Sequence, residues 1–596
     1  MREGRPRAVV SLKAGGEGVR AFLAGFPARV LRVLAATASA AWIIAGAGAP
    51  DPPDAGIPRF VDVTAVGGIR FQHVNGPADH KDYIFEAKGG GIGFFDYDND
   101  GWLDVFIVQG ATLETVGTEK NELSRLFRNN RDGTFKDVTE PAGLTRRRWG
   151  MGVTFGDYDN DGWTDIYLTC FGPNVLYRNN GDGTFTDVTG IAGVGDPRWS
   201  TSAAFADYDR DGDLDLYVAN YIDASVEKLP PRSDVCTYLG RVVMCGPRGL
   251  PGAADSLYRN NGDGTFTEVS SEVGAVDVEK YFGLGVVWSD LDNDGDLDLL
   301  VGNDATPNLL FVNDGRGHFE EMGFLSGLAV SGDGAMQASM GIDVGDYNND
   351  GLMDVFITHF ASDYSTLYRN EGDLIFKDVS SEAGIQAVEW LMVGWSTRFV
   401  DYNHDGWKDL LHVNGHVYPF LLRVEHREKY RQPPVLYLNR RDGTFADVSP
   451  LAGPDFQVPA VSRGAAFGDY DNDGDVDLVV ANLNDHPRLL RNDRTDPNHW
   501  VFFDLKDTRT GVEPVGARIA VTAGGLRQLG EYRRAVGIYS ASDPRIHFGL
   551  GSHEKIDEVT VTWPDGFVQR FTDVPADHHY LVDSVRGLHP QEFRRP

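Results

Sequence analysis

Basic residues are scarce in this chain. Lysine and arginine number 55 among 596 residues, against 88 aspartates and glutamates, for a formal net charge of −33. That imbalance argues against nucleic acid and anionic membrane as partners, since both need a basic footprint. Long hydrophobic runs are scarce too. The run VLAATASAAWIIAGAGA, Val33 to Ala49, is short and rich in alanine and glycine, which argues against a stable membrane insertion. It follows Arg2, Arg5, Arg7, Lys13, Arg20, Arg29 and Arg32, and small residues precede Pro50. Residues 1–50 therefore read as a secretory signal peptide with a long basic front, the alternative being a retained anchor helix. Cysteine is nearly absent, at three residues. Cys236 and Cys245 lie in CTYLGRVVMCGPRG, inside a long insertion. They suit a disulfide in an exported protein, with two buried thiols as the alternative. Cys170 has no partner near it in sequence.

Aspartate and glycine are plentiful, and they recur together. FGDYDNDGWTDIYLTC, Phe155 to Cys170, has six relatives along the chain. The first aspartates of the seven copies are Asp96, Asp157, Asp207, Asp290, Asp346, Asp401 and Asp469, mostly about fifty to seventy residues apart. Such a period signals a solenoid, a propeller or an array. Each copy reads as two strands around an Asp-rich loop. A second half follows, clearest in LYRNNGDGTFTDVT from Leu176 to Thr189, whose alternation and central turn predict a β-hairpin. One repeat is thus four short antiparallel strands, a propeller blade. The seventh copy lacks its outer strand after Leu489, and FVDVT, Phe60 to Thr64, stands alone at the other end. Joining the two closes a ring and leaves no open edge there. The expected fold is all-β: a seven-bladed propeller over residues 58–493, followed by a small antiparallel β domain.

The DxDxDGxxD spacing brings alternate side chains to one point if the chain curls, and its glycine permits the curl. The candidate metal ligands are Asp96, Asp98, Asp100 and Asp104; Asp157, Asp159, Asp161 and Asp165; Asp207, Asp209, Asp211 and Asp215; and Asp290, Asp292, Asp294 and Asp298. The last three loops supply Asp346, Asn348, Asp350 and Asp354; Asp401, Asn403, Asp405 and Asp409; and Asp469, Asp471, Asp473 and Asp477. Hard oxygen donors in this number suit Ca²⁺, up to seven ions in all, whereas Mg²⁺ prefers a stricter octahedron and zinc prefers His or Cys. Metal-free Asx-turns are the alternative. Asn348 and Asn403 each remove one formal charge, so these two loops are expected to bind calcium least tightly.

The loops and FGDYDNDG resemble the FG-GAP/VCBS repeats of integrin α-chain propellers. VGARIAVTAGG, GIYSASDPRIHFGLG and DEVTVTWPDG resemble the ASPIC/UnbV domain, over roughly residues 496–585. With FQHVNG at Phe71, CGPRGLPG at Cys245 and NGHVYP at Asn414, the whole resembles the bacterial relatives of cartilage acidic protein. The resemblance implies an exported calcium-binding protein with adhesion or matrix interactions. The tail read by itself shows no Ser-His-Asp spacing, CxxC or phosphate loop, and His547 reads as a structural histidine.

Strand order places the ends of the second strands around the upper mouth of the ring: Gln109, Cys170, Asn220, Asn303, His359, Asn414 and Asn482. The segments before the first strands add Glu86, Trp149, Trp199, Tyr281, Gln337, Trp390 and Arg463. His416 opens a further insertion there, and the insertion at about 221–256 covers part of this face. From these, Glu86, Asn220, Asn303, His359, Trp390, Asn414, His416, Arg463 and Asn482 form the candidate ligand surface. Amides and aromatic faces suit a glycan or polar small molecule. Turn-capping is the alternative for each asparagine. The expected function is a secreted or extracytoplasmic binding or adhesion module, with a glycan, matrix or cell-surface protein as partner. The alternatives are an extracytoplasmic enzyme using His359, His416, Glu86 and Arg463, and an envelope component assembled through its tail.

Overall fold

In the computed structural model, residues 56–230 and 236–593 are described. The signal-peptide expectation lies outside them. The second repeat shows the common plan. Strands Gly150–Gly156, Asp165–Cys170, Val175–Asn179 and Phe185–Asp187 pair antiparallel in chain order. The first two strands are buried on both faces, while the outermost exposes Thr186. Continuous apolar sequence therefore forms the inner strands, and alternation appears only at the rim. The Asp loop joins the inner pair, with Gly162 at φ 87° and Asn160 at φ 56°, so both sit in the left-handed region.

Seven such sheets occur among the described residues. Their innermost strands touch in cyclic order, the seventh returning to the first. The seventh sheet takes its outer strand from the start of the chain: Phe60 pairs with Asn492, Val61 with Arg491 and Asp62 with Leu490. Phe60 is wholly buried and stacks on Phe456 at 5.1 Å. Cys236 and Cys245 form a disulfide around the small hairpin Thr237–Tyr238 and Arg241–Val242, and Cys170 is a buried free thiol.

The tail holds two four-stranded sheets. One is wholly antiparallel and uses the expected segments, Arg518–Ala523, Lys555–Thr562 and Val568–Pro575, with Leu526–Glu531. The other corrects the antiparallel expectation, because His499–Lys506 runs parallel to His578–Asp583. The long crossover between them makes the parallel pairing possible.

Between the two sheets the tail sends a hairpin, Ala535–Val536 and Ser540–Ala541, into the bore of the ring. Ala541 pairs with Gly93 of the first blade, and Gly537 exchanges backbone hydrogen bonds with Ile342 of the fifth. Val153 N–H donates to the Tyr539 carbonyl at 3.0 Å, and Tyr539 N–H donates to Ser202 Oγ at 3.1 Å. The bore accepts a hairpin because it is lined by small residues. Gly91, Gly152, Ser202, Gly285, Gly341, Ser396 and Gly464 each stand five residues before the first aspartate of their loop. A Cβ at Gly91 would lie 2.6 Å from the Tyr539 carbonyl oxygen, and one at Gly464 would lie 2.5 Å from Ser540 Oγ. That column of small residues was present in the sequence and is the signal by which the plug could have been found.

Candidate functional site

The Asp loops curl through their own backbone. In the first, Asp96 accepts from the N–H groups of Asp100 at 3.0 Å and Gly101 at 2.7 Å. Asp104 accepts from Tyr97 and from Asn129 on the next hairpin, so the last aspartate ties the loop to its blade. The second loop repeats this with Asp157 and Asp165. In five loops three carboxylates each place one oxygen within 4.8 Å of the others: Asp96, Asp98 and Asp104; Asp157, Asp159 and Asp165; Asp207, Asp209 and Asp215; Asp290, Asp292 and Asp294; Asp469, Asp471 and Asp477. These clusters could hold a metal ion. Asp98 Oδ1, Asp159 Oδ1 and Asp290 Oδ1 are buried without a hydrogen-bond partner. Burial, with repulsion from neighbouring carboxylates, pushes Asp96, Asp157, Asp207 and Asp290 up to about 7. The donors are all oxygen, so the chemistry of the set fits a hard cation.

The loops at Asp346 and Asp401 differ. Asn348 Nδ2 donates to Asp350 Oδ2 at 2.8 Å, and Asn403 Nδ2 donates to Asp405 Oδ2 at 3.3 Å. Each amide stands where the other loops carry a carboxylate, and among the described residues neither loop gathers three carboxylates as the other five do. Burial raises both Asp346 and Asp401, and the buried Lys408 ammonium opposes that rise.

The tail packs directly on this face. Asp157 N–H donates to Glu513 Oε2 at 3.0 Å, Arg518 pairs with Asp290 at 3.0 Å, and His579 Nε2 lies 3.2 Å from Asp469 Oδ2. Gly549 lies against Asp401, where an added Cβ would stand 2.0 Å from Oδ2. His547 is held here by ring packing rather than hydrogen bonds. It packs, tilted, between His404 and Phe502, each at 4.7 Å, and neither ring nitrogen has a partner.

On the opposite face, the candidate asparagines make one kind of hydrogen bond. Asn220 donates to the Ala254 carbonyl, Asn303 to Pro307, Asn414 to Pro433 and Asn482 to His486, each at 2.7–2.9 Å. Asn303 and Asn482 close the turn after their strands, while Asn220 and Asn414 tie down the far ends of the insertions that follow theirs. Glu86 accepts from the N–H groups of Asp82 and Tyr83. Arg463 is fully buried, donates to the carbonyls of Ala87 and Gly415, and lies 4.0 Å above the Trp395 ring. His416 sits among Tyr238, Phe360 and Tyr418. His359 is buried, and burial pulls it down to about 4 against the Ala338 backbone hydrogen bond. Of the nine, only Trp390 is exposed. They therefore surround the mouth without forming a common open surface.

One open feature of this face is a cavity of about 520 Å³ beside the disulfide, bordered by Met340, Phe360 and Tyr418. Its charged groups are Lys88, Asp304, Arg248 and Asp363, none of which the sequence reading named. Lys88 Nζ donates to Asp304 Oδ2 at 3.1 Å. Two signals were available: a lysine standing before three glycines that enter a buried strand, and an aspartate directly after Asn303.

Comparison with known proteins agrees with this architecture. A model of the FG-GAP-like repeat matches residues 96–168, 157–218, 243–301, 290–357, 346–412 and 424–503. A model described as ASPIC and UnbV matches residues 507–587. Cartilage acidic protein 1 of Xenopus tropicalis is 24% identical over 314 residues, covering 50% of this chain and 44% of that protein. Cartilage acidic protein 1 of Homo sapiens is 25% identical over 315 residues, covering 50% of this chain and 43% of that protein. The chain thus spans less than half the length of these relatives. Among solved structures, an Agrocybe aegerita lectin specific for non-reducing terminal N-acetylglucosamine is 17% identical with a TM-score of 0.35, covering 66% of this chain and 85% of the lectin. Rhamnogalacturonan lyase YesW is 11% identical with a TM-score of 0.35, covering 68% and 71%. The repeat match extends over more than half of the sequence, and the chain belongs to the FG-GAP-like repeat family, with an ASPIC/UnbV domain at its C-terminal end.

Proposed function

We propose that this chain is an extracytoplasmic, calcium-stabilised binding module that takes a glycan or a protein on the face opposite its Asp loops. One observation carries the reading. The tail covers the Asp-loop face and fills the bore, while the other face carries the disulfide-held insertion and the cavity. Long loops on a rigid scaffold are where binding function concentrates. The disulfide supports an oxidising compartment. The all-oxygen clusters and their orphaned carboxylate oxygens support calcium. Calcium, when bound, would supply the positive charge that lets several buried carboxylates ionise side by side. Asp96, Asp157, Asp207, Asp290 and Asp469, with their partners in each cluster, would hold it.

Glycan and polypeptide arrays probed with the full chain test the reading. Binding that survives in calcium and disappears in chelator is expected. Binding lost on blocking the Asp-loop side, but unaffected by substitutions around the cavity, would overturn it. Sequencing the exported protein tests the leader: a start near residue 50 is expected, and residues near Met1 retained would remove the signal-peptide reading.

A further inference from the structure

We propose that the cavity opposite the Asp loops binds a phenolic group, one aromatic ring ending in a hydroxyl. The proposal rests on the reading that this face takes the ligand, and it names the chemistry. At about 520 Å³ the cavity has the size of a small-molecule pocket. Met244, Met336 and Met340 line it, three of the eight methionines in the chain. Thioethers are polarizable and adapt to the edge of an aromatic ring. Phe360 and Tyr418 extend the same wall. Along this apolar wall a sugar would present hydroxyls and lose hydrogen bonds to water without replacement.

The floor sets the polar end. Lys88 Nζ and the Tyr221 hydroxyl both donate to Asp304 Oδ2. Oδ1 takes part in neither bond. The rings of Tyr221 and Trp395 lie 4.9 and 5.2 Å from Nζ. They stabilise the ammonium without accepting its remaining protons in strong hydrogen bonds. The complementary end group accepts from Lys88 and donates to Asp304. A hydroxyl does both. A carboxylate would be repelled by Asp304, and an ammonium by Lys88. Tyr539, at the tip of the tail's hairpin, stacks on Trp395, so the plug supports this floor from below.

A phenol can arrive as a free molecule or as a tyrosine side chain. Calorimetric titration of the full chain with 4-ethylphenol, ethylbenzene and N-acetyltyrosinamide separates the cases. Ethylbenzene is expected to bind at least about tenfold more weakly than 4-ethylphenol, because it leaves the floor unpaired. Tighter binding of N-acetyltyrosinamide assigns the site to a polypeptide, and weaker binding to a free phenolic molecule. Lys88→Met is expected to lower phenol affinity about tenfold and leave ethylbenzene unchanged. Because that change leaves Asp304 buried without its ion pair, Met336→Trp serves as the second variant. Met336 is 46% exposed at the rim, so the indole fills the mouth without touching the pair. Loss of phenol binding at unchanged Tm is expected. Equal affinity for 4-ethylphenol and ethylbenzene, or no heat from either at millimolar concentration, overturns the phenolic assignment. If array binding then persists and Met336→Trp abolishes it, only the ligand class is wrong. If array binding ignores Met336→Trp, the reading of the face falls as well.

Discussion

At the scale of single residues, the bore depends on atoms that are missing. Gly152 has ordinary backbone angles, so its need for glycine is steric: an added Cβ would stand 2.7 Å from the Thr201 carbonyl oxygen and 2.9 Å from Tyr539 Cα. Both obstacles are backbone and cannot rotate away. Gly152→Ala is expected to cost about 2 kcal/mol in urea denaturation. A neutral result would mean the hairpin is loosely seated. His359 gives a second test. Burial holds it at about 4, although Asp304, Asp378 and Glu389 raise it and the Ala338 backbone hydrogen-bonds it. Its unfolded value is about 6.5. Between those values the unfolded chain binds a proton that the folded chain refuses, so stability is full above 6.5 and falls as pH drops toward 4. His359→Gln should remove on the order of 2 kcal/mol of the loss seen between pH 7 and 4.5. Melting curves that fall in parallel for both proteins would contradict it. The capping asparagines show how far such residues can be read. Their places at the strand ends follow from periodicity, but whether an amide meets solvent or a nearby carbonyl depends on the following turn, as Asn303 and the Pro307 carbonyl show.

At the scale of elements, ring closure and the Asp loops were legible because both are repeat properties. A missing strand at one end and a spare one at the other can only be noticed once the blade has been counted. Phe60→Ala removes a wholly buried ring from the closing strand and should cost about 4 kcal/mol. Hydrogen exchange should quicken together in Phe60–Asp62 and Arg488–Asn492, which pair. Quickening on one side only would mean the strand does not close the sheet. Among the loops, the carboxylates replaced by Asn348 and Asn403, and the clusters gathered only in the other five, predict two classes of site. A calcium titration is expected to fill five loops before the remaining two, and Asn348→Asp should tighten its own loop. Simultaneous filling would contradict this. The tail's hairpin was hidden because its contacts are largely backbone to backbone, as between Gly537 and Ile342, and its own sequence carries no special chemistry.

At the scale of the whole molecule, the Asp loops and the tail share one interface, so chelation should reach residues that own no loop aspartate. The full chain is expected to melt in one transition, markedly higher in calcium than in chelator. Exchange in His578–Asp583 should rise with chelation, because His579 rests against Asp469. Unchanged protection there would separate the tail from the loops energetically. The parallel strand of the tail was beyond sequence reading for a related reason: alternation announces a strand but not its direction.

The hairpin in the bore also fixes an order of assembly. Its residues leave the ribosome after every blade has been made, and the strand that seals the ring is made before any of them. A nascent chain must therefore keep its first strand waiting until the last blade arrives, and then receive its axle. A product ending before residue 533 would be a wheel with an empty, glycine-lined hub, its girth set by blade contacts alone.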